Sequence, residues 1–163
     1  MTGSRKLLLI GGFLLAIWGM SYGLWYAVFA EHQVLDSIGA SLATSFSSAA
    51  QRKLPEVQAA IGNYQAAKYV YDRQVDAHGH WIGLAMLLIV LGIAFDRVPI
   101  AEPRRLLLAV SLLAGAFLFP LGVLLETFFP PALGRALAVA GSALVILPLV
   151  AITLGLLRSR PAM

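Results

Sequence analysis

Two histidines two positions apart, His78 and His80, stand with Asp76 at the mouth of an apolar run, "DAHGHWIGLAMLLIVLG", residues 76–92. The third histidine, His32, follows Glu31 at the end of another apolar run. Imidazole can ligate haem iron through one or two axial positions, and a histidine from each of two helices around an apolar slot meets that need without cysteine. Copper or zinc would draw three or four donors instead, from His32, His78, His80 and Glu31 or Glu126. No acid–base pair with a recognisable nucleophile accompanies the histidines, which disfavours a hydrolase.

The spacing limits these options. On a regular helix, His78 and His80 point about 200° apart and cannot grip one metal from one face. One of them is expected to face the neighbouring helices and the other to face away, unless Gly79 disrupts the turn. The chain contains no cysteine, so disulfides, thiolate catalysis, zinc-thiolate and iron–sulfur sites are excluded.

These residues are carried by a strongly apolar chain. Of 163 residues, 60% are hydrophobic and 12% charged, and mean hydropathy is +0.83, outside the balance of soluble domains. Four runs are long enough to cross a hydrocarbon core as helices: 7–30, 77–95, 106–125 and 137–157. "AVFA" before Glu31 loosely fits a cleavage site, but the run before it is too long for a typical signal segment and reads as a retained span. The expected fold class is therefore all-α: an integral membrane four-helix bundle in a single domain, residues 1–163, with an extracytoplasmic amphipathic helical insertion between the first two spans.

The formal charge of +4 sits beside the apolar runs, where cations set topology, so no nucleic-acid role follows. Arg5, Lys6, Arg97, Arg104, Arg105, Arg158 and Arg160 mark one side as cytoplasmic, giving an inner-membrane, multi-pass protein with both termini inside. Segment 31–76 then faces outward. In it Leu35, Ile38, Leu42 and Phe46 recur at helical spacing, as do Val57, Ile61, Tyr64 and Tyr71, and "KLPE" at 53–56 marks a helix start. Two helices that fold over the outer mouth or lie on the lipid surface are expected. Gly12, Gly19 and Gly23 in the first span and Gly115 and Gly122 in the third read as packing seams, and Pro120 and Pro148 as kinks. This topology gathers Glu31, His32, His78, His80, Glu126 and Arg135 into one outer layer, where ionisable groups are costly and often functional. An acid there also finds a structural role as the partner of Arg73 or Arg135.

"AHGHWIGLAMLLIVLG" resembles the helix of the haem–copper oxidase catalytic subunit in which an Ala-His-Gly stretch leads into an apolar span. It is also similar to a His-x-His pattern in small bacterial four-helix membrane proteins. The likeness covers about one span in four and rests on His78, Gly79 and His80. It implies His78, or His80 by the second pattern, as an axial ligand to haem b. The chain departs from the oxidases in having four spans and no copper-centre histidines, so oxygen reduction is not implied. The functional expectation is a small membrane protein that binds or handles a haem or metal ion at its outer face, in electron transfer or cofactor handling. Its rival is a non-catalytic accessory subunit of a larger membrane complex or a homo-oligomer. A quinone-handling enzyme built on Glu126 and the Pro120 kink is a third possibility.

Overall fold

The structure, a computed structural model, describes residues 1–128 and 130–158. Arg160, one of the seven topology-setting cations, lies outside the described residues. Among the described residues the fold is all-α, with five helices: α1 (Gly3–Phe29), α2 (Glu31–Ala50), α3 (Leu54–Ala94), α4 (Glu102–Leu125) and α5 (Pro131–Arg158), plus a 3₁₀ turn at Phe95–Arg97. α1, α3, α4 and α5 are each long and apolar enough to cross a membrane, consistent with a multi-pass membrane protein.

Local chemistry explains the boundaries. The Thr2 side chain accepts from the Arg5 N–H at the start of α1. Pro55 with Glu56, and Pro103 with Glu102, occupy the first turns of α3 and α4. Only Ala30 separates α1 from α2. Between α2 and α3, Arg52 adopts φ 58°, the left-handed conformation that closes a tight reversal. Pro120 and Pro148 stand within α4 and α5, which continue past them.

The segment 31–76 differs from a cap of two helices folded over the bundle. Its second helix does not stop before the membrane: residues 54–94 form one 41-residue helix that includes the second span. α2 does not turn back over the mouth either. It packs along α3, meets α1 only lightly, and does not approach α4 or α5. The register shows why. As position rises along α1 and α2 it falls equally along α3: Gly12 faces Ile89, Gly19 faces Trp81, Gly23 faces His78, Glu31 faces Tyr71 and Ser48 faces Glu56. α1 and α2 therefore act as one interrupted rod antiparallel to α3. Beyond the apolar span, residues 54–76 at about 1.5 Å per residue carry the pair outward by roughly 35 Å.

α3 sustains this pairing because its inward positions follow a heptad without interruption. Val57, Ala60, Tyr64, Ala67, Tyr71, Gln74, His78, Trp81, Ala85, Leu88, Gly92 and Phe95 are all buried or half-buried at alternating spacings of three and four. The upper part of this stripe is small and polar, and the lower part is apolar. Lipid gives apolar helices no reason to associate, so the lower part depends on close fit. Gly12 and Gly19 admit Ile89 and Trp81, and Gly92 admits Leu9.

α4 lies on the α1–α3 pair, whereas α5 packs on α4 alone among the helices. The spans thus form a three-helix cluster with one outlying helix, more open than a closed four-helix bundle. A glycine seam fixes α5 in place. A Cβ on Gly115 would stand 2.6 Å from the Gly141 carbonyl oxygen, and one on Gly134 would stand 2.7 Å from the Glu126 nitrogen. The two backbones touch at both positions.

Candidate functional site

The three histidines occupy three separate surroundings. His78 lies in the α1–α3 seam, its ring filling the space that a side chain on Gly23 would need. Its Nδ1 lies 2.9 Å from the Gly19 carbonyl oxygen, so Nδ1–H donates to it. His80 is exposed, with its ring 4.8 Å from that of Phe119 on α4. His32 is exposed on α2. The two rings diverge, His78 toward α1 and His80 beside Phe119 of α4, and Gly79 remains inside α3.

The ligand set does not assemble. Among the described residues, no three His, Asp or Glu side chains come within reach of one metal ion. Glu126 joins neither His78 nor His80. Its carboxylate is 10% exposed, accepts a 2.7 Å hydrogen bond from the Tyr69 hydroxyl and lies 3.7 Å from Arg73. It therefore ties the C-terminal end of α4 to the base of the projecting helix pair. Glu31 accepts a long hydrogen bond of 3.4 Å from Tyr71 across the α2–α3 seam. Both acids serve helix contacts, as the Arg73 pairing read from the sequence allowed for Glu126.

The polar feature that does assemble is a ladder on the inward face of α3, with two rungs to α1 and one to α4. Tyr22 donates to Gln74, His78 donates to Gly19, and the Trp81 indole donates to the Phe117 carbonyl at 3.2 Å. Trp81 is fully buried and meets Trp18 and Tyr22 edge-on at 5.9 Å and 5.2 Å. Tyr22, Gln74, Trp81 and Phe117 escaped the reading of titratable residues. Their signal was the heptad phase of α3, which places Gln74, His78 and Trp81 on one face. A polar group at an inward heptad position fixes register, since any slip leaves it without a partner. Phe117 and Trp18 line an apolar groove between α1 and α4, whereas Tyr22, Gln74 and His78 join helices within the seam.

A second polar assembly closes the opposite end of the spans. The Glu102 carboxylate accepts from the Ser4 N–H at 2.9 Å and the Ser4 hydroxyl at 3.1 Å, capping α1 from the start of α4. Arg105 lies 3.1 Å from Glu102 and 3.8 Å from Asp96, and Arg5 lies 3.1 Å from Asp96. Asp96, in the turn after α3, also accepts from Thr2. The Thr2 hydrogen bond, aided by the Arg5 and Arg105 guanidiniums, holds its carboxyl below the usual carboxylate range. Arg5 and Arg105, read from the sequence as topology markers, thus also join three helix ends.

Compared with known proteins, the chain matches no family model, no curated protein and no solved structure.

Proposed function

We propose that this chain is a non-catalytic membrane subunit whose work is to hold a rigid helical pair at a fixed height outside a bacterial inner membrane, with both termini in the cytoplasm. The observation that carries this reading is the single antiparallel register of α1–α2 against α3, continuous from the spans into the projecting pair. Helix pairs of this kind transmit position: the glycine seam and the polar ladder fix the rod below, and the rod fixes the pair above. The two clusters of hydrogen-bonded charge, at Glu102 and at Glu126, brace the rod against α4 at both ends. The six described cations at the Arg5 end support the inward orientation of that end.

Haem or metal handling, the other expectation, has His78 as its one candidate ligand within the helix cluster, with His32 and His80 turned elsewhere. One preparation separates the two. The detergent-purified full chain is expected to show no Soret band and no stoichiometric metal. A variant with His32, His78 and His80 all replaced by alanine is expected to migrate in native gels of solubilised membranes as the parent does. A haem or metal that the parent carries and this variant loses would overturn the proposal.

A further inference from the structure

Where α5 finishes, small residues leave an open groove beside the α3–α4 connection. Ala151, Leu154, Gly155 and Arg158 share one face of α5, and with Pro99 and Ile100 of the connection they line a space of about 480 Å³. That volume is within the range of small-molecule sites. The connection meets α5 at Gly155, where an added Cβ would stand 3.3 Å from Ile100. Toward the spans the lining is apolar, and Leu154 is 45% exposed. Arg158 stands at the polar end, in the last turn of α5.

We infer that this groove binds an anionic phospholipid of the surrounding bilayer, with its phosphate on the Arg158 guanidinium and an acyl chain along Ala151, Leu154 and Gly155. The inference goes beyond the subunit reading and needs only that the spans lie in a membrane. Charge decides the occupant. Six described cations gather at this end against two carboxylates, Asp96 and Glu102. Both carboxylates are already engaged, Asp96 by Thr2, Arg5 and Arg105, and Glu102 by Ser4 and Arg105. Among the described residues, Arg97, Arg104 and Arg158 form no ion pair. Arg97 and Arg104 bracket the Pro99–Ile100 turn in sequence, two residues before it and four after it. The groove therefore opens beside uncompensated positive charge.

A guanidinium offers a fixed fork of donors that matches phosphate oxygens, and basic pockets between membrane helices hold anionic head groups in this way. A free phosphate would engage Arg158 and make no use of the apolar lining. A zwitterionic lipid would fill the lining but bring its own cation toward the arginines. An amphiphile with a net negative head satisfies both halves of the groove. α5 gains most from such a ligand, because among the helices it packs on α4 alone. A lipid lying between α5 and the connection would tie the last turns of α5 to the α3–α4 turn.

The test titrates the detergent-purified full chain with phosphatidylglycerol and with phosphatidylcholine of the same acyl chains, counting bound lipid by native mass spectrometry. Phosphatidylglycerol is expected to bind at least about tenfold more tightly. Arg158→Gln should remove most of that preference. Lys6→Gln deletes the same charge on α1, which does not pack on α5, and at physiological salt should change the preference less than about twofold. Gly155→Leu fills the groove without altering charge and should weaken both lipids; the facing atoms belong to the Ile100 side chain, which can yield. If that variant fails to fold, Leu154→Ser tests the same lining from an exposed position. Equal affinity for the two lipids, or equal losses in Arg158→Gln and Lys6→Gln, overturns the site. Displacement of the lipid by glycerol phosphate at equal concentration would reveal an anion site without an acyl groove and overturns it too. Absence of lipid selectivity in a colourless, metal-free chain sinks this inference alone. Haem on His78 would sink the subunit reading and leave the groove standing.

Discussion

Replacing His78 with alanine removes a ring wedged against Gly23 and its bond to the Gly19 carbonyl, whereas replacing His80 removes only an exposed contact with Phe119. His78→Ala is therefore expected to destabilise the chain by about 1–3 kcal/mol, and His80→Ala by less than about 0.5 kcal/mol. Thermal unfolding in one detergent compares them, and equal shifts would contradict the assignment of His78 to the seam. The separation of the two histidines was legible from their spacing alone. Which one turned inward was not, because the answer lies on another helix: Gly19 and Gly23 leave a gap and a carbonyl at the height of His78. The same limit hid the Ser4–Glu102 clasp. Nothing local to Ser4 announces that the start of α4 will deliver a carboxylate to it.

At the scale of elements, glycine spacing carried the most information. Gly115 and Gly122, seven apart on α4, meet Gly134 and Gly141, seven apart on α5, so the complementary half of the seam is also written in the sequence. A leucine at Gly122 would drive into the α5 backbone near Gly134 and Ala138, and rigid backbone cannot yield as a side-chain tip can. Because α5 rests on α4 alone among the helices, Gly122→Leu is expected to release α5 as a unit and leave the α1–α3 pair intact. Limited proteolysis in the α4–α5 turn should accelerate at least about tenfold, as expected for a local opening made easier by over 1.4 kcal/mol. Gly83→Leu, in open space on α3, should leave the rate unchanged. Comparable acceleration in both variants would show that the seam is not what holds α5. The boundary missed by composition lies at Asp76–Ala77, where polar residues give way to apolar ones. Hydropathy changes there while the heptad of α3 does not: Tyr71, Gln74, His78 and Trp81 keep their spacing, and the backbone follows the spacing.

For the whole molecule, the decisive quantity is which side of the membrane the helical pair occupies. Six described cations, Arg5, Lys6, Arg97, Arg104, Arg105 and Arg158, lie at the end where α1 and α4 begin and α3 and α5 finish. Arg5 and Arg105 are partly spent in ion pairs with Asp96 and Glu102, but the bias toward retaining basic flanks inside counts Lys and Arg and is little affected by nearby acids. The cations of the projecting pair, by contrast, are interleaved with Glu56, Asp72 and Asp76, with ion pairs at Lys53–Glu56, Lys68–Asp72 and Arg73–Asp76. On the proposed reading, this asymmetry puts the clasp inside and the pair outside. A cysteine introduced at Ser47, near the tip, should react with a membrane-impermeant maleimide in intact cells, and one at Ala101, in the α3–α4 connection, should react only after lysis. Both positions are exposed, so folding does not shield either thiol. Labelling of Ala101→Cys but not Ser47→Cys in intact cells would invert the molecule and put the rod in the cytoplasm. Because the roughly 35 Å reach of the pair comes from helix geometry, that inversion would change the compartment of the rod and leave its length and register untouched.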